Sequence, residues 1–238
     1  MATDSLLYRK EYEIAEGITV VIPTVGQILA DEDGYNEAVA AFTSMPIDFM
    51  VPLDDIGIDF STINEWDLFS MLFGQMKEMD FSLVLKGIQF KDFERCVNKQ
   101  TQQKVFYNQF TNTEIGKREH ALIASTLRKI NHMEKDRRKP ANEDAKKYML
   151  ERARAKMKRK KNRKESSQLE QLIVALVNTE QFKYDFDGVR DLTIYQFNEC
   201  VRQIIHKVNW DNRMHGVYSG TVNAKELSQD ELNWLIHK

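Results

Sequence analysis

The sequence predicts a mainly α fold: a multi-helix protein with a short N-terminal strand and a small β-hairpin, its two helical halves joined by a long basic helix. Three observations carry that reading. A helix-start signal, Ser or Thr followed three residues later by Glu or Gln, recurs at Thr24/Gln27, Thr62/Glu65, Ser167/Glu170, Thr193/Gln196 and Ser228/Glu231. At that spacing each partner satisfies an orphan donor at the helix end. Apolar residues repeat at 3.6-residue intervals on both sides of the middle of the chain. The middle itself, ANEDAKKYMLERARAKMKRKKNRK, is built from strongly helix-favouring residues.

In chain order, β-branched residues at 18–22 running into Pro23 predict a strand. Tyr35, Val39 and Phe42 share a face of a helix ending near Pro46. From Ile63 to Met76 the apolar residues are too dense for one stripe, which predicts a central helix. Within 88–110, FKDFERCVN and KVFYNQF flank a polar KQTQQ and predict a hairpin. Ile115, Leu122, Ile123, Leu127 and Ile130 predict the next helix. After a break at Lys139-Pro140, the basic helix offers only a narrow seam of Ala145, Met149, Ala153 and Met157, which predicts weak packing on its own chain. Three C-terminal helices are expected near 167–178, 193–208 and 228–236. Leu192/Phe197 and Leu227/Leu232 act as hydrophobic staples for the last two. The expected division is an N-terminal helical domain with minor β structure (1–135), a basic connector helix (136–165) and a C-terminal helical domain (166–238).

Composition bounds the function. Of 238 residues, 42% are apolar and 10% aromatic, as in a folded globular chain. The net charge of −2 hides an asymmetry: residues 135–164 hold 15 Lys or Arg against 4 Asp or Glu, leaving 19 basic and 32 acidic residues elsewhere. A basic segment between acidic halves can reach back to its own domains. Cys96 and Cys200 form no pair motif, which suits a reducing compartment. MATDSLLYRKEYE is too charged for a signal peptide, and the longest aliphatic run, LIVALV, is far short of a bilayer span. The expectation is a soluble, intracellular protein.

Nothing in the sequence calls for catalysis. His120, His132, His206, His215 and His237 include no i, i+4 pair and no HExxH, so no metal or cofactor is expected. Asp31–Gly34 and Asp185–Gly188 resemble calcium loops but lack the later bidentate glutamate; turns with a left-handed glycine are the expected explanation. Gly116-Lys117-Arg118 lacks the rest of a phosphate loop, and neither GxSxG nor a dinucleotide fingerprint is present. Trp66, Phe69 and Phe73 sit at core spacing rather than as a stacking platform. Ten methionines, several within 45–79, supply either core filler or a soft contact surface, and core filler is the plainer use.

The one candidate partner-binding set lies in ERARAKMKRKKNRKESS: Lys156, Lys158, Arg159, Lys160, Lys161, Arg163 and Lys164. These cations ring the helix instead of committing to one face, so on nucleic acid they would make only salt-sensitive, non-specific contacts. A solvated connector ranks first, a protein-docking face second and nucleic-acid binding third.

Two blocks outside this middle resemble a known family. ITVVIPTVGQILADEDGY, and LEQLIVALVNTEQFKYDF with LTIYQFNECVRQIIHKVNWDNRMHGVYSGT and SQDELNWLIHK, resemble tail assembly chaperones of long-tailed phages, encoded between the tail-tube and tape-measure genes. The shared features are apolar and turn patterns over about half the chain. The resemblance implies a non-enzymatic helical protein that binds the tape-measure protein and promotes assembly of tail-tube protein around it. The host cytoplasm is the implied place, with no membrane and no specific nucleic acid, and self-association is left open. The alternatives are a virion structural protein, such as a tail-completion or head–tail connector piece, and a nucleic-acid-binding protein acting through the basic helix.

Overall fold

The computed structural model describes residues 5–160 and 167–235. About 52% of the chain is helical, with two small sheets, so the protein is mainly α. The expected strand is β2 (Ile18–Val21), paired antiparallel with β1 (Glu11–Ala15) through a turn that holds Gly17 at φ +73. Ile18 and Val20 face the core, whereas the charged, half-exposed β1 carries little apolar signal of its own. Helices α1 (Val25–Ala30), α2 (Glu32–Thr43), α3 (Met50–Asp55) and α4 (Glu65–Met76) follow. The cap of α4 is Asn64 paired with Asp67, two residues beyond the Thr62/Glu65 pair that the spacing favours.

The expected hairpin within 88–110 is β3 (Glu94–Val97) and β4 (Lys104–Asn108), and β5 (Thr113–Ile115) extends it to a three-stranded antiparallel sheet. Then come α5 (Lys117–Ile130), α6 (Glu143–Lys160), α7 (Gln168–Val177), the single turn α8 (Gly188–Asp191) and α9 (Ile194–Tyr218). The helix expected at 228–236 does not form among the described residues, which end at 235. Ser228 and Glu231 do satisfy each other's N–H groups, but the turn they close is not continued.

The main core draws on both sides of α6. Phe42, Phe69, Phe73, Phe90 and Phe106 form its centre, with Phe73 and Phe106 stacked at 3.9 Å. Leu169, Ile173, Leu176, Leu192, Ile194 and Phe197 from the C-terminal side join the same cluster as Val20, Phe42 and Leu127. Backbone hydrogen bonds lock the two sides together: Val25 N–H donates to the Leu192 carbonyl and Ile194 N–H to the Pro23 carbonyl, both at 2.8 Å. The capping boxes at Thr24/Gln27 and Thr193/Gln196 thus stand back to back, each complete. A second, smaller cluster joins Ile47, Val51, Leu53, Phe60 and Leu68 to Leu150 of α6.

Candidate partner-binding surfaces

The basic helix α6 divides into a docked half and a projecting half. Lys146, Met149, Leu150, Ala153 and Arg154 fall at i, i+3, i+4, i+7 and i+8, one continuous helical face. Leu150 is buried in the second core cluster, with Met149 and Ala153 packed beside it. Charges flank this apolar line. Lys146 Nζ lies 2.6 Å from Asp59 Oδ2, and Arg154 Nη2 lies 2.7 Å from both Asp54 Oδ2 and Asp55 Oδ1. The hydrogen bond from Lys146, with those from Ser61, holds the Asp59 carboxyl down to about 2. The sequence expectation of weak packing needs correction here. Met149 and Ala153 of the expected seam pack as read, but Leu150 joins them, Met157 is exposed, and Asp54 and Asp55 of α3 with Asp59 just beyond it supply the counter-charges.

Beyond Arg154 no described residue covers the helix. Lys156, Lys158 and Arg159 are exposed, and none makes an ion pair among the described residues. The backbone of Lys160 closes α6, and Lys161, Arg163 and Lys164 lie outside the described residues. The structure therefore brings together no anion pocket from this set. What it shows is a cationic helix end with solvent on every described side.

A second long helix behaves differently. α9 is rooted in the main core by Ile194, Tyr195 and Phe197, and from Ile205 to Tyr218 it carries no buried residue. Ile205 and Val208 are 55% and 38% exposed. One face of this projecting half carries a row of donors at i, i+3, i+7 and i+10 that the sequence reading missed. Gln203 Nε2 donates to the Trp234 carbonyl at 2.9 Å and His206 Nε2 to the Asn233 carbonyl at 2.8 Å. Trp210 Nε1 and Arg213 Nη1 donate to the Leu232 and Glu231 carbonyls, both at 3.0 Å. The spacing of these four polar side chains was the available signal, but their acceptors are main-chain atoms some twenty to thirty residues away, which no local pattern identifies.

The family comparison falls on this part of the chain. Residues 158–237 match the family model of the YomV second domain. The match is to a phage-associated family and covers about a third of the chain: the end of α6, helices α7 to α9 and the segment folded back on α9. No curated protein and no solved structure matches the chain. The YomV-like region thus contains both the exposed apolar residues of α9 and its row of donors.

Other features that resemble chemical sites have structural uses. His120 is 2% exposed, with its ring 4.5 Å from that of Phe69, and desolvation lowers its pKa to about 4. Among the described residues no group of three or more His, Cys, Asp and Glu is placed to hold a metal, and no helix is long and apolar enough to cross a membrane. Asp31 caps α2 by accepting from the Gly34 N–H, and Asp185 accepts from the Gly188 N–H at 2.7 Å. Neither glycine has positive φ, so these are helix starts and not the left-handed turns that the sequence suggests. Met76 is buried and Met45, Met50 and Met79 pack against the cores, which leaves Met71 as the exposed methionine of that stretch.

Proposed function

We propose that the protein is a non-enzymatic phage tail morphogenesis factor, an assembly chaperone that binds the tape-measure protein and promotes tail-tube assembly around it in the host cytoplasm. The observation that carries this reading is the projecting half of α9. It lies in the phage-associated region, exposes Ile205 and Val208, and holds the turn at 228–234 by its main chain. A chaperone for a long, apolar-rich polypeptide needs apolar contact without strict side-chain selection, and the exposed Ile205 and Val208, on the side of α9 away from its row of donors, supply it. The resemblance of 18–35 and 169–238 to tail assembly chaperones supports the same reading, since those blocks meet at Pro23 and Ile194.

In this account α6 is a docked connector whose cationic end adds weak, salt-sensitive attraction to an acidic partner. The test is co-expression with the cognate tape-measure protein. Its soluble fraction should rise in the presence of the protein, and an equal soluble fraction with and without it would remove the reading.

A further inference from the structure

Among the described residues two small antiparallel sheets present four outer edges, and an edge strand is an open row of main-chain donors and acceptors unless something blunts it. Three of these edges are blunted. The Val21 N–H and the Thr19 carbonyl of β2 bond to Val84 and Lys86. β1 has a bulge between Glu13 and Ala15 and carries exposed Glu11 and Glu13. β5 is three residues long, buries Thr113 and Ile115, and turns straight into α5. β3 has none of these devices. Glu94, Arg95, Cys96 and Val97 are all exposed, Val97 at 55%, and their register on β4 is unbroken.

The ladder fixes what this edge offers. Asn98 N–H donates to the Gln103 carbonyl at 2.9 Å, so Asn98 turns its main chain towards the β4 side. Alternation along the strand then points the N–H and C=O groups of Arg95 and Val97 the other way, out of the sheet. A second copy pairing antiparallel about a two-fold axis normal to the sheet sets odd-numbered residues opposite odd ones and even opposite even. Charge leaves one register. Centring on Glu94 or on Arg95 puts like charges face to face, and centring on Val97 puts Arg95 against Lys99. Centring on Cys96 puts Arg95 against Val97 and Glu94 against Asn98, with no like charges opposed. In that register Arg95 and Val97 of the two copies exchange N–H···O=C bonds in both directions. There is room for it. Trp66, Phe69 and Phe73 of α4 all pack on Phe106, so α4 lies over β4 and not over the edge. The two β4 strands would stand about 14 Å apart, more than the diameter of about 10 Å that a helix needs.

We propose that β3 is a self-association edge: two copies of this chain join β3 to β3 antiparallel, with the two Cys96 residues opposite each other at the centre of one six-stranded sheet. The contact is short, so the dimer belongs to the small, transient class. It lies outside the YomV-like region and does not depend on the tape-measure reading.

Cysteine cross-linking reads the register. Directly opposed residues have Cβ atoms about 4.5–5.5 Å apart, close to disulfide reach, whereas two copies of position 97 would be offset by four residues along the strand. The full chain at about 100 μM, where weak contacts are populated, is treated briefly with diamide, which takes up the two thiol hydrogens as the S–S bond forms. Disulfide-linked dimer should form at least fivefold faster than with Cys96→Ser, which keeps Cys200, or with Val97→Cys/Cys96→Ser, whose thiol sits on the same edge out of register. Sedimentation velocity supplies a second reading without oxidant. Val97→Glu faces Arg95 of the other copy and should tighten the dimer at least threefold, while Val97→Lys should loosen it at least threefold. Val97→Pro deletes an N–H that the β3–β4 ladder does not use and should weaken the dimer at least fivefold. If the proline chain does not fold, the opposed effects of Glu and Lys decide. A full chain that sediments as a monomer at every concentration, cross-linking no faster through position 96 than through 97, or Glu and Lys at 97 acting alike would overturn the proposal.

Discussion

Helices α6 and α9 are built alike and anchored differently. Each has one end fixed to the body of the protein and the other in solvent. The fixed end of α6 rests on one buried leucine and ion pairs to Asp54, Asp55 and Asp59, whereas that of α9 is sunk in the main aromatic core at Phe197. Their free ends differ too. Charges surround that of α6 without a common direction, while α9 aligns four donors on one face and fills them with its own chain. The difference teaches that the density of charge, which dominates the sequence, is a poor guide to the helix face with directed contacts. Directionality is the better one.

The largest expected effect separates the two anchors. Phe197→Ala removes a fully buried ring at the root of α9 and should cost about 3–5 kcal/mol of global stability in denaturant unfolding. Acid should act on the same core. His120 titrates near 6.5 when unfolded but at about 4 in the core, so the unfolded state binds its proton first as pH falls. Stability is therefore complete above pH 6.5 and declines as pH falls from there towards 4, by about 3 kcal/mol at most. His120→Phe should flatten that slope in melting curves. The dock of α6 should hold over the same range, because Asp59 stays charged until about pH 2.

Smaller effects belong to α6. Leu150→Ala should cost about 2 kcal/mol, the low end for a leucine in a small peripheral cluster. Hydrogen exchange should show α6 opening while α9 keeps its protection. Ile204 lies between the two regimes, partly buried where α9 leaves the core, so Ile204→Asp should destabilise by about 1–2 kcal/mol rather than the larger cost of a fully buried charge. Smallest of all, Arg154→Ala removes two exposed ion pairs, and its effect on melting should fade at high salt.

Much of the fold was legible because its signals are local. The Thr24/Gln27 and Thr193/Gln196 boxes form as the spacing implies, and the stripe of Ile123, Leu127 and Ile130 is the buried face of α5. Where local signals compete, spacing alone misplaces the start, as when Asn64/Asp67 displaces Thr62/Glu65. Ser228/Glu231 shows the other failure. The box forms, yet α9 claims the carbonyls of 231–234, which a continued helix would have aimed along its own axis. The site was less legible than the fold. The docking of α6 depends on carboxylates about a hundred residues upstream, and the row on α9 is meaningful only once its acceptors are in place.

The central claim is that partner binding resides on α9 and not on the basic end of α6. It is tested most directly by measuring the soluble fraction of co-expressed tape-measure protein with two full-chain variants. Ile205→Asp/Val208→Asp alters only exposed residues of α9, so the fold should survive and the solubilisation should be lost. The variant with Lys158, Arg159, Lys160 and Lys161 all changed to Ala should retain most of it. Loss with the alanine variant and retention with the aspartate variant would contradict the account and return the binding surface to the basic helix.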